Sequence, residues 1–457
     1  MDKQGGMTLF LGIDIGTTAM KFAVIDEGKI KFQQSSPVTT YREEEGKCYQ
    51  RWSELLVILQ QGIQTIPKDT RNEITKISFS VAMHSLLPYE DPYSDELYLW
   101  SDTQAAQRME AFKKEPMAEN FYQKTGTPLH PMSPFAKILH FNQQKVKRQT
   151  KYYGIKELVM YYMTGDFVVD YSTASATGLF NLETRDWDQE ILDYLDVQRN
   201  QFAELVDTTA SFAIQTRVAE ELKLSETVEV VIGASDGCLA AFASYVATGI
   251  PNSLTIGTSA AVRRVTNTPT FNQHQNFCYY LKDNYYVTGA PSNNGGCVLE
   301  WASHIFSKYP EEFFEVLPEI LAESDIGTKG LRFLPFINGE RAPLWQEDVS
   351  GSFENLRIIH TKADMIRSVV EGILINIRTL TQMIAIKGQL SLSGGFFQSE
   401  ILTQMTADIL GIDCYLSDYN EPILGLYYLI YDQETVGYPL ERIPHDSERT
   451  RLYQELF

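Results

Sequence analysis

Apolar residues fill most positions from Leu9 to Ile15 and again from Met20 to Ile25, with Gly16, Thr17 and Thr18 between the two runs. Runs of this kind suit strands covered on both faces, and the small-residue turn predicts a β-hairpin. The pattern returns far along the chain, where Gly257, Thr258 and Ser259 separate two further apolar runs between Leu254 and Val262. Two similar hairpins in separate halves predict two related domains facing one another.

Between and beyond them the periodicity keeps changing. Leu55, Leu56, Leu59 and Ile63 recur near helical spacing and predict an amphipathic helix over 52–66. Residues 74–81 read as a strand ending at Met83, His84 and Ser85, and such a carboxyl edge is where α/β proteins bind ligands. A second strand, over 97–100, runs into Ser101, Asp102 and Gln104. Pro128, Pro131 and Pro134 then rule out helix or central strand and predict a rigid loop, with His130 inside it. Lys137 falls in the first turn of the next helix, against the helix dipole, so an anion there would relieve the conflict. The small-residue segment 170–178 reads as close packing beside the same site.

A β-branched run over 228–232 predicts a buried strand that ends at Gly233, followed by Asp236, Gly237 and an alanine-rich helix over 238–245. Later come a short strand at 285–287 and a loop ending in Gly295 and Gly296, able to offer backbone donors to phosphates. A helix over 297–306 and an irregular stretch at 333–343, with Glu340 beside Arg341, come next. A long amphipathic helix over 365–383 leads to a strand at 390–392 and a turn at Ser393, Gly394 and Gly395 fit to pass a flat ligand. The helix over 399–410 carries Gln404 and Asp408 on one face and closes at Gly411.

With 457 residues the chain has material for two or three domains. A hydrophobic fraction of 44% and a charged fraction of 21% are those of an ordinary soluble globular protein. The net charge of −20 argues against nucleic acid as a partner, and any site for an anion must be locally positive. Five scattered cysteines without CxxC spacing indicate neither zinc nor a disulfide framework. The opening MDKQGGM lacks a signal core and no run approaches the ~18 apolar residues of a membrane helix, so no membrane partner and a cytoplasmic location are expected.

The chemistry-bearing residues sit at the element ends. Glycine lets the first hairpin tip approach a phosphate closely, and Asp14 at its strand end is placed to hold a hydrated Mg²⁺. His84 has two readings, a structural histidine or a contact to a substrate hydroxyl. Asp102 likewise accepts from a sugar hydroxyl or caps the helix starting near Thr103. Asp236, a carboxylate between buried strand and helix, is costly to leave unpaired and well placed for chemistry. The alternative is a plain N-cap, a role Ser235 could fill.

As a set, these stretches resemble the FGGY family of carbohydrate kinases, in the group of two-domain actin-like and hexokinase-like ATPases. The matches are the first hairpin from Asp14 to Lys21, Gly233 to Gly237, Gly257 to Ser259, and Ser393 to Ser399 with Gln404, Ala407, Asp408 and Gly411. They run in the family's order along essentially the whole chain. The resemblance implies an α/β fold of two ribonuclease H-like domains, 1–246 and 247–457, with an interdomain cleft. It implies ATP and Mg²⁺, with ATP held by Gly16, Thr17, Thr18, Lys21, Gly257, Thr258, Ser259, Gly295, Gly296, Gly394, Gly395, Gln398 and Gln404. Asp14 and Asp236 are the implied metal ligands, and a homodimer is compatible with the family.

Within the family the chain is most similar to gluconate kinases, at Met83 to Ser85, Gly126 to Pro134, Asp170 to Phe180 and Gly339 to Pro343. That implies a sugar-acid substrate, D-gluconate, met by Met83, His84, Asp102, His130, Lys137, Asp236 and Arg341. Asp236 would act as general base on the C6 hydroxyl, with Lys137 and Arg341 the candidates for the substrate carboxylate. A pentulose kinase of xylulose or ribulose type is the close rival, and a non-catalytic actin-like ATPase scaffold the distant one. Two departures stand out. Gln104 replaces the arginine that normally ends the tryptophan motif, and Gly425, Leu426 and Tyr427 replace a late Gly-Ala-Ala, implying different packing around the adenosine.

Overall fold

The computed structural model describes residues 9–90, 94–142 and 150–456; the opening MDKQGGM lies outside them. Strand β1 (Leu9–Ile15), buried at every position, pairs antiparallel with β2 (Ala19–Asp26), so that Asp14 faces Lys21. β3 (Lys29–Pro37) extends the hairpin on one side. On the other side β4 (Ile74–Val81) runs parallel to β1, and β6 (Glu229–Ser235) runs parallel to β4, with β5 (Ser211–Ala213) on the far edge.

The second sheet repeats this plan. β7 (Asn252–Ile256) and β8 (Ala260–Thr266) form the hairpin, with β9 (Phe277–Lys282) and β10 (Tyr285–Ser292) antiparallel beside β8. β11 (Leu390–Ser393) and β12 (Cys414–Leu416) follow in parallel on the other flank of β7, and β13 (Glu441–Ile443) closes the edge. In each sheet, therefore, a hairpin tip stands at the carboxyl edge of parallel strands, the edge at which such sheets bind ligands.

Helix α1 (Trp52–Thr65) covers the first sheet, α2 (Pro134–Phe141) follows the proline loop, and α3 (Asp236–Thr248) continues from β6. In the second lobe α4 (Gly296–Phe306), α5 (Lys362–Met383) and α6 (Glu400–Leu410) pack on their sheet. Among the described residues no helix is long and apolar enough to cross a membrane, and all five cysteines are free.

Three details differ from the sequence reading, the first being that Pro134 is not in the loop but opens α2, where a missing amide costs nothing. β6 does not end at Gly233; it bulges there, with a register shift between Val231 and Gly233, and continues to Ser235. Gly233 has φ +80, and a Cβ on it would lie 2.3 Å from the Phe79 carbonyl oxygen, so only glycine fits. The strand at 285–287 likewise extends to Ser292.

Helix α7 (Pro422–Ile430) packs on α3 and on β1 of the first sheet rather than on the second. Leu426 and Leu429 join Phe10, Ile25, Leu239 and Phe242 in a core between the lobes. A Cβ on Gly425 would lie 2.3 Å from the Leu239 carbonyl oxygen, backbone that cannot swing aside. Gly425→Ala is expected to cost about 1–3 kcal/mol through overpacking. Scanning calorimetry should show a lower melting temperature, and an unchanged one would contradict this close approach.

Candidate active site

The bulge at Gly233 re-aims the end of β6 and starts α3 with Asp236 in its first turn. Ser235 is the N-cap residue, but its hydroxyl meets Ser172 Oγ at 2.9 Å instead of capping the helix. Asp236 is therefore not spent as a cap. Its Oδ1 accepts from the Gly237 amide at 2.7 Å. Burial raises its pKa, while that amide and the Arg263 guanidinium pull the other way.

An inner cavity of about 220 Å³ opens over this carboxylate. The first lobe contributes Met83, His84 and Asp236 to its lining, and the second contributes Ser259, Arg263 and Arg341. Trp100, Phe277 and Tyr279 supply aromatic walls. His84 sits at φ +68, a strained conformation for a side-chain-bearing residue and one that occurs at ligand sites. Its Nδ1 lies 2.7 Å from the Ala176 carbonyl oxygen, which assigns the proton to Nδ1 and leaves Nε2 as acceptor. Burial drives its pKa down to about 3, so the ring stays neutral.

Arg341 crosses the Trp100 ring at 5.1 Å and donates from Nη2 to the Ser292 carbonyl at 3.1 Å. Its Nε is buried with no partner, and burial lowers its pKa to about 10. The charges of Glu340 and Glu347 act on it from nearby, but Glu340 makes no side-chain ion pair with it. That carboxylate is occupied by Ser292 Oγ, the Asn293 amide, Asn376 Nδ2 and the Arg341 backbone amide, and so fixes the loop that presents the guanidinium.

Trp100 and Arg341 also line an outer cleft of about 430 Å³, and that is where His130 lies. His130 accepts from the Met132 amide at Nδ1 and approaches Glu347 Oε1 to 2.8 Å through Nε2, linking the two lobes. It is therefore a rim residue and not part of the inner lining. Asp102 is also set back. Its two oxygens accept from the Cys48 and Gln104 amides, a backbone-bracing role unlike the sugar contact or simple helix cap expected of it. The Gln104 side-chain oxygen is buried without a partner.

Lys137 corrects the expectation of an anion at its helix. Its ammonium donates to the carbonyls of His84 and Met132, so it ties together two residues of the cavity wall instead of facing the cavity. Burial depresses its pKa from 10.5 to about 7. The unfolded chain then binds more protons than the folded one across that window, and this group's contribution to stability rises with pH. Wild type is expected to gain melting temperature relative to Lys137→Met from pH 7 to pH 10, and a pH-independent difference would contradict that.

The second hairpin tip is the partition between two spaces. Ser259, Ala260 and Ala261 face the inner cavity, whereas Gly257 and Thr258 face a separate one of about 670 Å³ lined also by Gly296, Gly395 and Phe396. The amides of Gly296 and Cys297 donate to the carbonyls of Gly257 and Thr258, so they brace the tip instead of facing phosphates as expected. Gly295 is needed for close approach, since a Cβ there would lie 2.7 Å from the Ser259 carbonyl. Gly394, at φ +102, passes the Ile256 carbonyl, where a Cβ would come to 2.3 Å.

Two further expected ATP contacts lie elsewhere. Gln398 is exposed beyond that cavity's lining. Gln404 donates to Asp408 Oδ1 and the Pro444 carbonyl, and so holds the C-terminal segment against α6. Nor does the Gly425 segment line this cavity, because α7 is packed between the lobes.

On the first hairpin the Gly16 amide closes the turn on Ala19, and the Thr17 carbonyl accepts from Thr40 Oγ1 and Gln50 Nε2. The Thr18 carbonyl accepts from the Val38 amide. Thr17 is half-buried and Thr18 exposed. Lys21 pairs with Glu421 across the lobes at 3.0 Å, both being well exposed. Asp14 accepts from Ser80 Oγ at 2.6 Å, and burial, then Asp236, pushes its carboxyl up to about 7. Two buried carboxylates that repel one another fit a hard divalent cation. Among the described residues no cluster of three ligating side chains is present.

Models of the FGGY family of carbohydrate kinases match residues 9–243 (N-terminal domain) and 252–427 (C-terminal domain). The chain belongs to this family. The kinase is 35% identical to a gluconokinase of Bacillus subtilis (strain 168), over 91% of this chain and 87% of the relative. A crystal structure of gluconate kinase from Lactobacillus acidophilus superposes with TM-score 0.92 at 28% identity, covering 98% of this chain and 96% of the other. A ligand-bound xylulose kinase from the same organism reaches 0.91 at 28%, with the same coverage. The kinase has the family's two-domain α/β fold and transfers a phosphoryl group to a sugar hydroxyl. Members of this family use ATP.

Sequence reasoning missed Arg263, Trp100, Phe277 and Tyr279 in the inner cavity. Arg263 follows the second hairpin on β8, and its Nε is buried without a partner. A pair of arginines, Arg263 and Arg264, inside a largely apolar strand was the available signal.

Proposed function

We propose that this kinase phosphorylates the C6 hydroxyl of D-gluconate with ATP to give 6-phosphogluconate. One observation carries the choice of a sugar acid. Arg341 brings an unpaired, partly desolvated guanidinium into the same cavity as Asp236, inside a protein of net charge −20. A neutral ketose leaves that charge uncompensated, whereas a carboxylate pairs with it. The gluconokinase and gluconate kinase relatives support this reading.

In this reading the substrate carboxylate lies on Arg341, His84 Nε2 accepts from a hydroxyl, and O6 reaches Asp236. An alcohol is a poor nucleophile, and in a loose phosphoryl-transfer transition state its proton leaves late. Alignment and charge neutralisation are therefore the main tasks, and Asp236 receives the proton as the bond to phosphorus forms. The hydroxyls of Thr17, Thr18, Thr258 and Ser259 hold the phosphates from opposing lobes. A Mg²⁺ near Asp14 and Asp236 would supply neutralisation of the phosphate charge.

Product identification tests the proposal. Incubation with Mg·ATP and D-gluconate should yield a phosphate ester whose ³¹P–¹H coupling assigns it to C6. An ester at another carbon, or none, would overturn it.

A further inference from the structure

Arg263 has no role in the chemistry described so far, yet its guanidinium is placed where the chemistry happens. Ser259 at the hairpin tip and Ala260, Ala261 and Arg263 of β8 all line the inner cavity, so this one segment runs from the phosphate-side tip to the sugar chamber. The guanidinium lies against the first turn of α3. A Cβ on Gly237 would stand 3.7 Å from Arg263 Nε and 3.8 Å from Nη2, ordinary contact distances that place the guanidinium right beside the residue following Asp236. Its Nε is buried, and the guanidinium makes no hydrogen bond or ion pair among the described residues.

A cation left unpaired in this way needs an anionic partner from the ligands. Asp236 acts on it electrostatically but makes no direct ion pair with it, so the guanidinium's hydrogen-bond donors stay unfilled. The substrate carboxylate is an unsuitable partner, because it would then stand against the Asp236 carboxylate while O6 lay at the opposite end of the six-carbon chain. What passes beside Asp236 in every turnover is the phosphoryl group.

We propose that Arg263 is a catalytic residue whose guanidinium contacts the equatorial oxygens of the phosphoryl group as it crosses from ATP to the sugar. In that step the O6–Pγ bond forms while the bond from Pγ to the β,γ-bridging oxygen breaks. The electron pair leaves with ADP, the O6 proton goes to Asp236, and the negative charge carried by the transferring group stays spread over the three equatorial oxygens that the guanidinium faces. The inference rests on the proposed role of Asp236 as base, and not on which sugar the cavity takes.

Steady-state kinetics of Arg263→Ala and Arg263→Lys test it, using whichever sugar the wild type turns over best. An arginine at the transferring group should be worth about 10³-fold in kcat, with the KM values for sugar and ATP within a few-fold of wild type. Lysine should recover little of this, because it lacks the planar fork. Added guanidinium at millimolar concentration should raise the activity of Arg263→Ala and not that of wild type. A kcat within threefold of wild type in Arg263→Lys overturns the proposal. So does a loss that appears wholly in the KM for the sugar, which would make Arg263 a ground-state sugar contact. Failure of D-gluconate as substrate would instead overturn only the substrate assignment.

Discussion

Asp236→Asn is expected to lower kcat by about 10²–10⁴-fold, the range over which a positioned general base acts. Asparagine keeps the shape and the acceptor for the Gly237 amide, so the first turn of α3 and the cavity should survive. What it removes is the proton acceptor and a charge buried near Asp14. Because that charge is held in a desolvated site, its loss should leave the melting temperature unchanged or higher, which separates a chemical defect from unfolding. The KM for ATP should stay within a few-fold, since the phosphate grips lie on the two hairpins. A variant retaining a tenth or more of wild-type kcat would remove Asp236 from the role of base.

Arg341→Met should act on binding rather than on the chemical step. A charge-assisted contact to a carboxylate contributes about 1.5–3 kcal/mol, so the KM for D-gluconate should rise roughly 10- to 150-fold with kcat little changed. Methionine keeps an apolar chain over Trp100, which limits the structural cost. A neutral ketose used as a poor alternative substrate should not suffer the same loss. Equal losses on both would mean that Arg341 shapes the cavity without reading the charge.

Much of this was legible from local pattern. Both hairpins announce themselves because small residues between apolar runs have few other uses, and the repeated sheet plan follows from the same signal in each half. Asp236 could be singled out because a carboxylate at a buried strand end is rarely idle.

The residues that eluded sequence reading depend on which face of an element meets which neighbour. Arg263 and Arg264 are adjacent on one strand and point to opposite faces, and so do Tyr279 and Tyr280; only the assembled sheet shows that Arg263 and Tyr279 look into the cleft. Gln404 and Asp408 do share a helix face and bond to each other, yet a C-terminal segment covers that face instead of a nucleotide. Lys137 was correctly placed in a first helical turn, but the carbonyls that receive it come from Met132 in the preceding loop and from His84, which only the fold brings near. The extension of β6 past Gly233 was hidden for a similar reason: a bulge keeps a strand going where a glycine usually signals its end.

A sugar acid as the preferred acceptor is tested most directly by comparing kcat/KM for D-gluconate and D-xylulose in a coupled ADP assay with saturating Mg·ATP. The value for D-gluconate is expected to exceed that for D-xylulose by about 10- to 150-fold, the worth of one charge-assisted contact. An equal or greater value for D-xylulose would contradict it.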